Sequence, residues 1–326
     1  MSKRLDWIDM ERGIAMICVY IWHIGLYRED ANFPWYIFFE YFLIPVFFFI
    51  SGYLFKETID NKRDLKRLYK RLIIPYFFLG FLVGIKPSLI QTKGVYAALC
   101  NSLWNVLTGH ELWFIACLIV VEFCAIVLKN LINENNRTIY KFVLIEGSIC
   151  CYFLLFREGV ISPNYWMWCN AILGLGYFAG GSLYRKYETR LSFGTNMNNI
   201  ILTILAISYI SMTFVAHFLL GCHIDFASLE ISNAPLVFIL TWVSIIVLTS
   251  LCKVMTANHY LLRVGRSSLF LFAINIWIIK LLVPLDRILH IIPTYLIGII
   301  ITILAISISL QLNSIVRKFA PWAIGE

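Results

Sequence analysis

Apolar runs long enough to cross a lipid bilayer follow one another along almost the whole chain, and nothing else in the sequence constrains the fold as tightly. A spanning helix needs roughly 20 mostly apolar residues. Such runs lie near 13–28, 35–55, 72–91, 111–128, 139–156, 165–184, 199–220, 235–252, 268–285 and 292–313. The stretches between them are short. The longest are a basic segment, 56–71, and a mixed loop, 92–110, expected on the outer side. No internal repeat or low-complexity tract interrupts the series. The expected fold is all-α: a polytopic transmembrane helix bundle of about ten spans, with residues 1–326 forming a single membrane-embedded domain.

Composition excludes the soluble alternative. The chain is 60% hydrophobic and 14% charged, with a mean hydropathy of +0.79. A soluble domain carries roughly 25% charged residues, and here too little polar surface exists to cover a water-soluble core. The net charge of +8 reads as a topology signal rather than a nucleic-acid footprint. With the N-terminus placed in the cytoplasm, only Arg28, Lys86, Lys93, Arg157, Lys280 and Arg287 fall away from the inner side, and the remaining 21 of 27 cations fall on it. Cationic loops stay cytoplasmic, so an even number of spans with both termini cytoplasmic is expected. The start of the chain reads as a retained span rather than a cleaved leader, since charge continues to Arg12 and no small-residue cleavage site follows.

There are nine cysteines. Cys18, Cys117, Cys124, Cys150, Cys151, Cys169 and Cys252 lie in or beside apolar runs, where thiols pack as small hydrophobes. No zinc-type spacing occurs, and no metal is expected. Cys100 and Cys222 fall in loops expected outside, and a bridge between them is left open.

Polar residues inside the apolar runs are the place to look for chemistry, because burying them in the bilayer is unfavourable. The first run offers Asp9, Arg12 and His23. Arg12 and His23 are three helical turns plus about 20° apart, so both point the same way, and Asp9 falls about 40° short of four turns from His23. By helical rise His23 sits about 16 Å above Arg12, near mid-membrane. This reads as a polar seam leading to an embedded imidazole suited to take a proton near neutral pH. Equally open is a reading in which Asp9 and Arg12 anchor the interface and His23 packs against a neighbouring helix.

Other elements carry weaker signals. In Phe49-Ile50-Ser51-Gly52-Tyr53 the small residues permit close helix approach. In the segment Lys66-Arg67-Leu68-Tyr69-Lys70-Arg71, Arg67 and Arg71 share a helical face. That cluster either grips the phosphates of a cytoplasmic donor or holds anionic lipid headgroups. Trp113, in His110-Glu111-Leu112-Trp113-Phe114, suits an interfacial belt. Glu40, Glu122 and Glu146 lie within apolar runs and are expected to face the bundle interior. Val264-Gly265-Arg266-Ser267-Ser268-Leu269 opens the ninth run, which contains Asn275 and Trp277.

Taken in order, these pieces resemble the acyltransferase-3 family of membrane O-acyltransferases. Arg12 followed by His23 resembles the family's hallmark spacing, and Asp6-Trp7-Ile8-Asp9-Met10-Glu11-Arg12 its opening. Phe49-Ile50-Ser51-Gly52, the basic stretch from Arg67 to Tyr76, Leu112-Trp113-Phe114 and Gly265-Arg266-Ser267-Ser268-Leu269 are similar to its later elements. The resemblance implies transfer of an acetyl group from cytoplasmic acetyl-CoA to a hydroxyl of a surface polysaccharide, glycolipid or precursor. It implies residence in a bacterial cytoplasmic membrane, as a short stand-alone member without an appended domain. It assigns His23, Arg12 and Asp9 to catalysis, and Arg67, Lys70, Arg71 and Arg266 to the donor. Ser51, Gly52, Trp113, Glu122 and Asn275 become supporting or acceptor-binding residues. Two departures stand out: Lys70 replaces a common arginine, and Asn275 replaces a histidine often found late in the family. A transporter of a small solute or anion, and a purely structural membrane subunit, are the competing readings. The transporter explains the apolar bundle and the embedded charges equally well, whereas the structural subunit leaves the seam from Asp9 to His23 unexplained.

Overall fold

A computed structural model of the protein describes residues 5–27, 34–56, 60–129, 136–191, 199–287 and 294–326. Lys3, Arg4 and Arg28, and the first residues of the expected tenth span, lie outside the described residues. The first span is helix α1 (Asp6–Tyr27), with Asp6 and Asp9 in its first turn, where exposed N–H groups favour negative charge.

The expected second span over 35–55 is not one helix. A 3-10 turn at Pro34–Phe38 and irregular turns over 39–44 lead into a short α2 (Pro45–Leu54). Pro45 sets that start, because it has no N–H to give back and disfavours helical backbone at the preceding residue. The turn residues 39–44 are buried all the same.

α3 (Asn61–Leu68) is capped by Asp60, whose carboxylate accepts the Arg63 N–H at 3.1 Å. One π-helical turn, Tyr69–Ile73, joins it to α4 (Ile74–Gly84). The wider turn accommodates Pro75, whose ring crowds the carbonyl four residues back. Lys86 is then extended (φ −87°, ψ 120°) ahead of α5 (Pro87–Leu107), as a residue before proline prefers. The stretches Asn61–Gly84 and Pro87–Leu107 consequently meet at 104°. The expected outer loop 92–110 is therefore largely helical, and Cys100 sits on a helix. A weakly patterned, polar-rich helix hid there, interrupted at Gly94 (φ 86°, ψ 166°).

The remaining runs keep their places. α6 (Trp113–Leu128), α7 (Arg137–Cys151) with a π turn to Phe156, α8 (Trp168–Leu191) and α9 (Asn199–Leu220) follow in order. A hairpin of β1 (His223–Asp225) and β2 (Glu230–Ser232) precedes α10 (Ala234–Val254). An unanticipated short helix, α11 (His259–Arg266), is capped by Asn258, which accepts from the N–H groups of Tyr260 and Leu261. α12 (Ser268–Leu282) and α13 (Thr294–Phe319) close the series. So Val264–Leu269 is a junction between two helices rather than the opening of one. Among the described residues, five helical stretches are long and apolar enough to cross a membrane, or six if the bent pair is one span. All nine cysteines are free thiols, so Cys100 and Cys222 form no bridge.

The helices group into two compact units. The first comprises residues 1–47, 192–224 and 231–315; the second comprises 48–191, 225–230 and 316–326. In the first, α1 packs on α10, α11 and α12. The α1–α11 crossing is tight: a Cβ on Gly265 would lie 1.8 Å from the Asp9 carbonyl oxygen, and one on Gly13 would lie 2.4 Å from that of Leu261. Higher on α1, the Tyr20 hydroxyl reaches Ser309 Oγ at 2.8 Å and the Leu271 carbonyl at 3.2 Å. In the second unit α8 packs on α6 and α7. Small residues also bring it against α2: a Cβ on Gly52 would meet the Phe178 carbonyl oxygen at 1.8 Å, and one on Gly181 that of Phe49 at 1.9 Å. Close backbone approach through small residues is how helices associate where water drives nothing together.

Candidate functional site

In the first unit, the N-terminal end of α1 carries an ion-pair cluster. Gly265 lets α11 lie against α1, which brings Arg266 to Asp9. The guanidinium Nε is 3.0 Å from Asp9 Oδ2, and a terminal nitrogen is 3.6 Å from Asp6 Oδ1. Asp9 is buried and Arg12 half-buried. Next to them Glu11 is fully buried and accepts from the Thr249 hydroxyl at 2.6 Å. The sequence reading passed over Glu11, although its place between Asp9 and Arg12 was a signal.

His23 lies further along α1. It is half-buried, but its Nδ1 is sealed from solvent and makes no hydrogen bond. Asn275 on α12 is buried, with both amide atoms sealed and unpartnered. The two stand toward the same end of the unit. Gly265 lies beside Asp9 and Leu271 beside Tyr20, so α12 climbs in the same direction as α1. From the Tyr20–Leu271 contact, Asn275 is about 6 Å further along its helix and His23 about 4.5 Å further along its own. Buried polar atoms without partners are rare and call for an explanation.

In the second unit, Ser51, Arg67, Arg71 and Glu122 line one cleft of about 380 Å³, with Lys56, Asp64 and an apolar wall of Leu54, Phe55, Leu68 and Ile126. Four residues chosen from sequence thus meet here. Arg71 is ion-paired to Glu122, and Arg67 lies 3.9 Å from Asp64. Lys129 pairs with the far side of Asp64, and both side chains are buried. The other expected donor residues are elsewhere. Lys70 is exposed and does not line the cleft, while Arg266 belongs to the first unit. Gly52 serves the α2–α8 crossing, and Trp113 stacks on Phe226 with centroids 6.5 Å apart.

Of the three embedded glutamates, Glu40 and Glu122 are buried as expected, but Glu146 is exposed. α7 buries Ser148 and Tyr152, four residues apart. Two positions before Ser148 is roughly 200° around the helix, which turns Glu146 outward. A further cleft of about 440 Å³ was missed. It is lined by Lys129, Arg137, Tyr140 and Lys141, with Phe55, Leu175 and Phe178 behind. Arg137 and Lys141, four apart on one helix, were the available signal.

The helical stretches long and apolar enough to cross a bilayer, among the described residues, mark an integral membrane protein. Residues 5–312 match the acyltransferase-3 family profile, described as an acyltransferase domain. The chain belongs to that family and is a membrane acyltransferase. No curated protein and no solved structure matches it.

Proposed function

We propose that the protein moves an acetyl group from acetyl-CoA to a hydroxyl of a surface polysaccharide, glycolipid or their precursor. The observation that carries this reading is the sealed, unpartnered Nδ1 of His23, on the helix that bears Arg12, in a chain whose family transfers acyl groups. His23 is a general base that takes the acceptor's hydroxyl proton. As the acceptor oxygen forms its ester bond to the acyl carbon, the C–S bond breaks and His23 returns the proton to the departing sulfur. In the two-step variant His23 holds the acyl group itself before the acceptor arrives. The amide N–H of Asn275 is a candidate donor to the oxyanion that develops. Arg12 and Asp9 hold the base of the seam.

Within the second unit, Arg67 and Arg71, with Lys56 beside them, are the residues for the donor's phosphates. The second unit's cleft fits an anion, since Lys56, Arg67 and Arg71 outnumber Asp64 and Glu122 there. Because Arg71 is held by Glu122, a phosphate must share it. The reading places both termini in the cytoplasm of a bacterium and the bundle in its inner membrane.

The test is incubation of membranes containing the protein with labelled acetyl-CoA and a panel of glycans, followed by mass spectrometry. Label on a sugar hydroxyl, absent from control membranes, is the expected result. Solute flux with no acetyl-CoA requirement and no labelled glycan would replace this reading with a transporter.

A further inference from the structure

One buried carboxylate in the first unit takes no part in the chemistry above. Glu40 sits in the irregular turns ahead of α2, its side chain 1% exposed. Two imidazoles face it from distant parts of the sequence. His223 Nδ1, on β1, lies 3.1 Å from Glu40 Oε2, a hydrogen bond. His217 Nδ1, in the last turn of α9, lies 3.8 Å from Oε1, too far for one. Both Oε1 and His217 Nδ1 are sealed and make no hydrogen bond. On the other side of the His217 ring, Nε2 is 3.3 Å from the Tyr36 hydroxyl. The Tyr36 ring packs edge-on against His217, at 5.5 Å, and against Trp22, at 5.6 Å. Trp22 immediately precedes His23 on α1, so the cluster lies at the His23 end of that helix.

The neighbouring Tyr41 hydroxyl also interacts with Glu40, yet Oε1 and His217 Nδ1 are left without a partner. When Tyr36 donates to Nε2 of His217, the ring's proton is on Nδ1. The missing partner must then donate to Glu40 Oε1 and accept from His217 Nδ1. A hydroxyl does both through a single oxygen. An oxygen placed about 2.8 Å from each atom closes a triangle on their 3.8 Å separation. A cation is a poorer match, since among the described residues no three His, Cys, Asp or Glu are disposed to hold a metal. The imidazoles are the solvent-facing part of the cluster, with side chains 22% exposed at His217 and 40% at His223; the two unpartnered atoms are sealed behind them, so an entering hydroxyl displaces the His217 ring to reach them. Trp22 and Tyr36 add ring surface against which the C–H face of a sugar can pack.

We propose that Glu40, His217 and His223, with Tyr36, form the hydroxyl-recognition site for the sugar acceptor. This rests on the acyltransferase reading above and gives its acceptor an address. Glu40 and the imidazoles bind and orient one acceptor hydroxyl, and His23 remains the group that handles the reacting one.

The test uses the purified full-length protein and methyl glycosides of glucose, galactose and N-acetylglucosamine as probes. Binding is followed by saturation-transfer NMR without donor. Initial rates of labelled acetyl transfer are then measured with glycoside and acetyl-CoA varied separately. Glu40→Gln is expected to weaken binding of the best glycoside about tenfold or more, the loss of one hydrogen bond to a charged group. Its KM for that glycoside rises as much, while its KM for acetyl-CoA stays within about twofold. His217→Gln, a second variant that leaves the carboxylate in place, is expected to act in the same direction. Failure of the wild-type protein to bind any of the glycosides overturns the site, as does equal binding by wild type and both variants. Glycoside binding that depends on Glu40 without any acetyl transfer leaves the site standing and removes the reading of acetyl transfer to a sugar hydroxyl. Acetyl transfer with an acceptor KM untouched by either variant does the reverse.

Discussion

Replacing Gly265 by alanine asks whether the α1–α11 crossing holds the first unit together. The new Cβ would lie 1.8 Å from the Asp9 carbonyl oxygen, 2.7 Å from its carbon and 3.0 Å from the Gly13 nitrogen. A carbon–oxygen contact relaxes at about 3.3 Å or more, so α11 must withdraw by about 1.5 Å. The clashing atoms are backbone and cannot rotate away. The penalty therefore falls at or above the upper end of the about 1–3 kcal/mol usual for overpacking. The same withdrawal pulls Arg266 from its 3.0 Å contact with Asp9. Thermal unfolding of the purified protein in detergent, followed by tryptophan fluorescence, is expected to drop by several degrees. Gly147→Ala is the matched control: its Cβ meets nothing within 4 Å, and alanine is favoured over glycine in a helix by up to about 1 kcal/mol. The double variant Gly13→Ala/Gly265→Ala should lose less than the sum of the singles, because the helices part only once. A Gly265→Ala midpoint equal to or above that of Gly147→Ala would refute the close-packed crossing.

Three further outcomes follow from the same geometry. Asn275→Leu removes an amide that has no hydrogen bond to lose, so its unfolding midpoint should hold or rise, while acetyl transfer falls if the amide serves the reaction; lower stability with unchanged activity would remove it from the site. Lys129→Met strands Asp64 as a buried anion and should cost about 3–5 kcal/mol, toward the lower end because Arg67 stands 3.9 Å away; adding Asp64→Asn should restore most of the midpoint. Arg71→Ala is expected to raise the KM for acetyl-CoA and Glu122→Gln to lower it, since the second frees the guanidinium; KM values moving together in one direction would exclude the cleft as the donor's phosphate site.

The helical membrane class was legible because apolar run length is a local property that the bilayer dictates. Most of the later runs, from α6 to α13, are found where hydropathy put them. The misses have local causes of another kind. Pro45 and Pro87 cut apolar or mixed stretches into shorter pieces, and a hydropathy window averages over a proline. Polar residues around Lys93 disguised α5 as a loop. Short amphipathic α11 gave no apolar signal at all, yet its Gly265 and Arg266 complete the cluster around Asp9. Within the candidate site, periodicity put Asp9, Arg12 and His23 on one stripe of α1, and Arg67 on α3 and Arg71 on the following turn were readable as a basic pair four apart. Pairing across the sequence was not readable. Glu122 with Arg71, Asp9 with Arg266, and above all Glu40 with His217 and His223 are joined only by tertiary packing, which one sequence does not encode in any spacing.

The proposed mechanism makes the imidazole of His23 the group that handles the reacting proton. It is tested most directly by purified His23→Ala, compared with wild type for transfer of labelled acetyl from acetyl-CoA and for its unfolding midpoint. A folded variant with the wild-type midpoint and no transfer is the predicted result. Transfer at the wild-type rate would contradict it.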